Sequence, residues 1–182
     1  PEVTPWVLNT LLAYDARATF FCVGENVERN PDIFRRLLAE GHSAGNHTHN
    51  HLNGWDTDTT KYLHNVRHCA RLVQSNLFRP PYGRLRPQQR AFLERHFKLV
   101  FWDVLSGDFD PNLTAEQCLQ NIVENARPGS IIVLHDSLKT VAKLRHVLPA
   151  LLEHFTARGY RFEAIPAAKF SAQDPVAYQH AQ

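Results

Sequence analysis

Short apolar segments alternate with longer amphipathic segments along most of the 182-residue chain. Residues 18–23 form a continuous apolar and β-branched run closed by Gly24, a pattern typical of a parallel strand buried on both faces. Similar runs recur later in the chain beside turn residues. The pattern predicts strands at residues 18–23, 98–104, 130–134 and 160–165.

Six other segments carry apolar residues at helical spacing, and several begin with capping signals. Thr4 is a predicted N-cap with Pro5 in the first turn, and Thr114 with Gln117 forms a predicted capping box. The predicted helices cover about residues 5–15, 30–41, 60–73, 87–96, 115–126 and 141–155.

The alternation of strands and helices predicts an α/β fold with a parallel sheet closed, or nearly closed, into a barrel. A chain of this length fits one domain and can bury about 70% of its unfolded surface. We therefore predict one domain over residues 1–165, followed by a polar tail over residues 166–182.

Composition excludes some classes of function. The net charge of +2, with Lys and Arg spread along helices, gives little support for nucleic acid binding. No run approaches the roughly 20 apolar residues of a membrane span. Cys22, Cys69 and Cys118 lack metal or disulfide spacing, so we expect buried free thiols, which favour a reducing compartment such as the cytoplasm.

Residues 41–51 hold four of the eleven histidines. His47 and His51 stand at i and i+4, so on one face of a helical turn both imidazoles could reach a single cation. The flanking glycines permit tight turns, and Thr48 and Asn50 offer supporting hydrogen bonds. The alternative is a cluster of satisfied surface histidines.

A second i, i+4 pair, His64 and His68, provides an internal comparison. It lies within a polar-faced helix without a glycine, loop or carboxylate signal nearby. We therefore interpret this second pair as a solvated helix face.

Three further polar residues stand at or just beyond the ends of predicted strands, where barrel enzymes build their active sites. They are Arg79, Asp108 and His135. Each also has a structural interpretation: a loop arginine, a turn aspartate after Gly107, and a buried histidine at a strand end. Their coincidence favours a functional site.

The ordered set of motifs H-T-H-N-H at 47–51, R-P-P-Y-G at 79–83, D-F at 108–109 and V-L-H at 133–135 resembles the polysaccharide deacetylase family, the NodB homology domain of carbohydrate esterase family 4. The similarity runs from residue 1 to about residue 165. The resemblance implies a distorted (β/α) barrel of about seven units.

The resemblance also implies a divalent metal, usually zinc, held by His47, His51 and an aspartate, and a water activated by an aspartate base. His135, oriented by Asp108, would protonate the leaving amine. Arg79 would position the base, and the Tyr82 backbone N–H would bind the oxyanion. The residues implied in the substrate pocket are Tyr82, Pro81, Phe109, Val133 and Leu134.

Three positions depart from the family pattern. The T-F-D-D-G strand end that carries the base and the metal aspartate is absent, and residues 1–5 resemble the segment that normally follows it. We expect the natural protein to carry an upstream strand ending in two aspartates. Phe109 replaces the usual tryptophan and Val133 the usual leucine, both apolar exchanges within the pocket.

These observations predict a metal-dependent hydrolase that removes N-acetyl groups from a glycan containing N-acetylglucosamine, of the chitin or peptidoglycan type. A glycan of this class would place the protein in the cell envelope or outside the cytoplasm. Two alternatives remain: an inactive glycan-binding module on the same barrel, and an O-acetyl xylan esterase.

Overall fold

The computed structural model describes residues 1–170, which form two compact units. The first, the two-strand unit, comprises residues 1–18 and 101–163. The second, the four-strand unit, comprises residues 19–100 and 164–170. Residues 171–182, most of the predicted polar tail, lie outside the described part of the chain.

The four-strand unit contains a parallel sheet in the order β1-β2-β3-β4. The register pairs Phe21 with Gly45, Asn46 with Phe78, and Phe78 with Leu99. Its strands are β1 (Thr19–Cys22), β2 (Ser43–Asn46), β3 (Leu77–Phe78) and β4 (Lys98–Leu99). Its helices are α2 (Gly24–Arg29), α3 (Pro31–Ala39), α4 (Thr59–Val73) and α5 (Pro87–Leu93), with a 3₁₀ turn at Pro81–Gly83.

Helix α4 packs its apolar face onto this sheet and supplies much of the core of the four-strand unit. Asp58 caps the helix by accepting hydrogen bonds from the main-chain N–H groups of Thr60 and Lys61, as its polar approach predicts. The buried side chains of this cluster are Tyr62, Val66, Ala70, Phe78, Leu93 and Phe97.

The two-strand unit pairs β5 (Val104–Leu105) in parallel with β6 (Ile132–Val133). Its helices are α1 (Thr4–Ala13), α6 (Ala115–Asn125) and α7 (Val141–Thr156), and α6 packs against α7. The predicted capping box of α6 is confirmed, because Thr114 Oγ1 accepts from Gln117 N at 3.2 Å and Gln117 Oε1 accepts from Thr114 N at 2.8 Å. The parallel pairing in both units confirms the α/β class.

Several predicted elements were wrong. Thr4 does not cap α1; its hydroxyl donates to Asp136 Oδ2 at 2.5 Å, and Val3 occupies the N-cap position. Strand β1 is half-buried along its length instead of buried on both faces. The single strand predicted at 98–104 is divided between β4 and β5, because Leu99 pairs with Phe78 whereas Val104 pairs with Ile132.

The last predicted strand, residues 160–165, is not a strand within the described chain. Its backbone makes isolated hydrogen bonds instead of a ladder: Arg17 N donates to Phe162 O, and Ile165 N donates to the hydroxyl of Thr19. The start of the predicted tail packs into the four-strand unit, where Ala168 exchanges hydrogen bonds with Asn76.

All three cysteines are free thiols, as predicted, with Cys69 and Cys118 buried and Cys22 partly exposed. Within residues 1–170, no helix combines the length and apolar character that crossing a bilayer would require.

Candidate active site

Residues 47–51, called the histidine loop below, follow β2 without regular structure, so the predicted helical turn was wrong. Thr48 and His51 adopt left-handed backbone angles, with φ of 62° and 55°. Side chains of the loop itself hold this shape: Asn46 Oδ1 accepts from Thr48 N at 2.9 Å, and Thr48 Oγ1 accepts from Leu52 N at 3.1 Å. The loop is therefore folded back on itself, which brings His47 and His51 together without a helix.

The rings of His47 and His51 lie edge to face with centroids 4.9 Å apart. His47 Nδ1 lies 2.6 Å from the carbonyl oxygen of Arg79. A carbonyl can only accept, so Nδ1 carries the proton and the Nε2 lone pair is available to a cation. Two imidazoles bound to one tetrahedral zinc place their centroids roughly 5 Å apart, so this pair fits as two ligands of a divalent ion.

Arg79 follows β3 and continues the sheet pairing, because its main-chain N donates to Asn46 O at 3.0 Å. Its Nε donates to Val100 O at 3.1 Å, and its guanidinium lies 4.2 Å from the centre of the Phe21 ring. Burial lowers the pKa of Arg79 to about 10. The Arg79 side chain is thus packed within the four-strand unit, and its main-chain carbonyl orients His47.

Tyr82 lies beside the histidine pair. Its ring meets His51 edge to face at 4.9 Å, and its side chain is 61% exposed. The residue has a φ of 60° in the turn that follows buried Pro81. The predicted R-P-P-Y-G motif therefore contributes two contacts to the histidine loop, one through Arg79 and one through Tyr82.

Asn65 on α4 is a positioning residue that the sequence analysis missed. Its Oδ1 accepts from the main-chain N of His49 at 2.7 Å and of Asn50 at 3.0 Å, and its Nδ2 donates to Asn50 Oδ1 at 2.8 Å. In the sequence Asn65 is one polar residue among several on the helix face, and no local signal separates it from its neighbours.

The two-strand unit carries a second polar pair. The buried Asp108 carboxylate accepts from His135 at two points, the ring Nδ1 at 2.8 Å and the main-chain N at 2.7 Å. Because a carboxylate accepts, the Nδ1 proton is fixed toward Asp108, and Nε2 is the ring nitrogen that can exchange a proton. Asp108 therefore lies in a turn, as its structural interpretation predicted, and its carboxylate also binds His135.

Phe109, one of the three residues predicted to line a pocket in this unit, contacts the pair directly. Its ring meets His135 edge to face at 5.5 Å and is 55% exposed. Val133 is buried in β6 opposite Leu105, and Leu134 is partly buried.

The structure also brings together a group that the sequence analysis did not predict. Glu28, His49 and His68 place one possible ligand atom each within 4.8 Å of one another. His68 was predicted to lie on a solvated face with His64, and both are exposed, but His68 also stacks on the His49 ring at 3.7 Å. A group of side chains able to hold a metal ion is therefore present in the four-strand unit.

Known proteins are similar to this chain in both sequence and fold. Residues 1–96 match the family model described as polysaccharide deacetylase. A peptidoglycan-N-acetylglucosamine deacetylase of Bacillus cereus is 35% identical over 179 residues, covering 91% of this chain and 81% of that protein. A chitooligosaccharide deacetylase of Azorhizobium caulinodans is 32% identical over 190 residues, covering 91% and 88%.

A crystal structure of a peptidoglycan N-acetylglucosamine deacetylase in complex with 4-naphthalen-1-yl-N-oxidanyl-benzamide matches with a TM-score of 0.81 and 29% identity, covering 91% of this chain and 81% of that one. The chain therefore belongs to the polysaccharide deacetylase family. The predicted family and fold class are confirmed.

Proposed function

We propose that this protein is a metal-dependent hydrolase that removes N-acetyl groups from glycans built on N-acetylglucosamine, of the peptidoglycan or chitin type. Family membership and the substrates named for its relatives support this class of reaction. The observation that carries the proposal is the hydrogen bond from His47 Nδ1 to the Arg79 carbonyl, since a proton held on Nδ1 makes Nε2 the nitrogen that can bind a metal.

His47 and His51 would hold the metal, and imidazole ligands suit zinc. A bound divalent cation would polarise the acetyl carbonyl and activate a water molecule. The side chain of Tyr82 flanks His51, and its main-chain N–H would donate to the carbonyl oxygen as negative charge develops there.

His135 would handle the proton of the reaction. Asp108 accepts one hydrogen bond from the imidazole Nδ1 and one from the main-chain N of His135, so the ring presents Nε2 as the atom that donates to the leaving nitrogen. Without such a proton the amine would have to leave as an anion. The exposed ring of Phe109 packs against this imidazole, and with Val133 and Leu134 it would form an apolar wall for the acetyl methyl group.

The overall reaction balances without an oxidant or a second substrate. A bond forms between the water oxygen and the acetyl carbon, and the bond from that carbon to nitrogen breaks. The nitrogen receives a proton from His135 and remains on the sugar as a free amine. The water gives up two protons overall: one replaces the proton that His135 donated, and the other passes to solvent as acetate is released.

Acetate release from chitooligosaccharides and from peptidoglycan fragments tests the proposal. The purified protein is stripped with a chelator and then supplied with zinc. We expect acetate release only after zinc is restored, and none from His47→Ala. The matched control is His64→Ala, an exposed histidine of α4 outside the site, which should retain full activity.

Acetylated xylan serves as the competing substrate. Acetate release from xylan but not from the amino sugars would replace the proposal with O-deacetylation. Glycan binding without acetate release from any of these substrates, in the zinc-loaded protein, would identify an inactive binding module.

A further inference from the structure

We propose that Glu28, His49 and His68 form a second cation site, distinct from His47 and His51, for a divalent transition metal such as zinc. Each ligand comes from a different element: Glu28 from α2, His49 from the loop after β2, and His68 from α4. Two imidazoles with one carboxylate are donors typical of zinc, with a fourth position left for water.

The distances suit such an ion. His49 Nε2 lies 3.6 Å from Glu28 Oε2, and His68 Nε2 lies 3.5 Å from Glu28 Oε1. Tetrahedral zinc with bonds of about 2.0–2.1 Å places neighbouring ligand atoms roughly 3.3–3.4 Å apart. Each nitrogen is thus within a few tenths of an ångström of that spacing from its own Glu28 oxygen, and one ligand atom of each residue lies within 4.8 Å of the other two.

The two imidazoles have different freedom of movement. The His49 side chain is 8% exposed, and its main chain is fixed by bonds from His49 N to Asn65 and from Glu25 N to His49 O. Its Nδ1 is buried without a hydrogen-bond partner among residues 1–170, which leaves Nε2 as the nitrogen directed at Glu28. His49 is therefore a preformed ligand.

The His68 side chain is 49% exposed and lies on the outer face of α4. Its ring is stacked on His49 with planes 19° apart, and the two rings must diverge for both nitrogens to bind one ion. A rotation of the exposed His68 achieves this without disturbing the core. The site would close by movement of one surface side chain.

A cation at this position would have a structural effect on the histidine loop. His49 lies between His47 and His51, so an ion that also binds Glu28 and His68 would tie the loop to α2 and α4. Because such binding favours the folded state, saturating zinc should raise the melting temperature even in a variant that binds zinc at this site only.

Equilibrium dialysis with zinc tests the proposal on the His47→Ala, His51→Ala double variant, which removes the first site. This background should still bind about one zinc per chain. Adding His68→Ala or Glu28→Gln should weaken binding by about tenfold or more and abolish the zinc-dependent rise in melting temperature. Adding His64→Ala, one helical turn away on the same helix, should change neither quantity.

Loss of zinc binding in the double variant itself would overturn the proposal, as would unchanged binding after His68→Ala and Glu28→Gln. The same two substitutions in the wild-type background should lower the zinc stoichiometry by about one, which covers the case of a double variant that folds poorly. None of these measurements uses acetate release, so they remain decisive whether or not the proposed deacetylase activity is found.

Discussion

His47 Nδ1 donates to the main-chain carbonyl of Arg79 at 2.6 Å, across two adjacent parallel strands. The acceptor belongs to the backbone, so any side chain at position 79 could keep this bond. The guanidinium of Arg79 has separate contacts, with Val100 O and the Phe21 ring. One residue thus performs two separable tasks, and substitution can tell them apart.

Arg79→Ala should therefore leave zinc affinity at His47 and His51 unchanged while destabilising the protein by about 1–3 kcal/mol, because a buried hydrogen bond and a cation–π contact are lost. Calorimetric zinc titration and urea unfolding provide the two readouts. In contrast, His47→Ala should lower zinc affinity at this pair by at least about tenfold. Equal loss of affinity in both variants would mean that the guanidinium, not the carbonyl, positions the ligand.

The double hydrogen bond from His135 to Asp108 predicts a second outcome. Asp108→Asn presents an amide where a carboxylate accepted two N–H groups, so one donor of His135 faces another donor. We expect the turnover number for acetate release to fall by about 10²–10⁴-fold with a much smaller change in KM. Steady-state kinetics on a chitooligosaccharide measure both constants.

Asp110→Asn is the control for that experiment, because the Asp110 carboxylate accepts from Asn112 and makes no hydrogen bond to His135 within residues 1–170. It should retain wild-type turnover. An Asp108→Asn variant with normal turnover would show that the pair has a structural role only.

Local signals in the sequence predicted the helices better than the strands. The capping box of Thr114 and Gln117, and the leucine stripe of α7, are complete within one segment, so neighbouring residues suffice to define them. Strand β2 has the sequence S-A-G-N, which carries no apolar run, and it is a strand because it pairs with β1 and β3. Pairing of this kind depends on residues far away in the chain.

The contrast between local signals and contacts between distant residues also explains which parts of the site could be predicted. The motif histidines, Arg79 and Asp108 could be named from sequence because the family pattern marks their positions. The contact of His68 with His49, and of both with Glu28, depends on how α2 and α4 pack, which residue spacing does not encode. The role of Asn65 could not be predicted either, because its hydrogen bonds depend on how α4 packs against the histidine loop.

Asn65 provides a third prediction. Asn65→Ala removes the acceptor for two main-chain N–H groups of the histidine loop, and we expect a loss of about 1–3 kcal/mol in unfolding free energy. Zinc affinity at His47 and His51 should fall by about tenfold, since the loop that positions them loosens. Asn65→Asp keeps an acceptor oxygen and should restore part of both. If Asp rescues neither quantity, the hydrogen bonds are not what orders the loop.

Substitution of Tyr62, unlike that of Asn65, should increase the stability of the protein. Its hydroxyl is buried without a hydrogen-bond partner among residues 1–170, and burial raises its pKa. Tyr62→Phe removes this unsatisfied group and keeps the ring, so we expect unfolding free energy to rise by about 1 kcal/mol in urea titrations. Tyr14→Phe, at a partly exposed position, should have no such effect. A clear loss of stability in Tyr62→Phe would indicate that the hydroxyl is hydrogen-bonded in solution.

Cys69 gives the protein a predictable sensitivity to alkaline pH. Burial raises the pKa of this thiol from its ordinary 9.0 to about 12, although main-chain N–H groups of His47 and Gly24 act in the opposite direction. Above pH 9 the unfolded chain ionises this thiol while the folded protein keeps it protonated. The contribution of Cys69 to stability is therefore complete below pH 9 and is lost progressively as the pH rises toward 12. The loss amounts to about 2 kcal/mol near pH 10.5.

The comparison of wild type with Cys69→Ala at pH 8 and pH 10.5 isolates this effect, because any cavity left by the substitution lowers stability equally at both pH values. Urea unfolding should show that the alkaline loss of stability is smaller in Cys69→Ala by about 2 kcal/mol. Val73→Ala is the matched control, since Val73 is a buried residue of the same helix without a titratable group, and its alkaline loss should equal that of the wild type. An identical alkaline loss in wild type and Cys69→Ala would mean that the thiol ionises as easily in the folded protein as in the unfolded chain. Cys69 would then have to reach solvent through opening of the contact between α4 and the histidine loop.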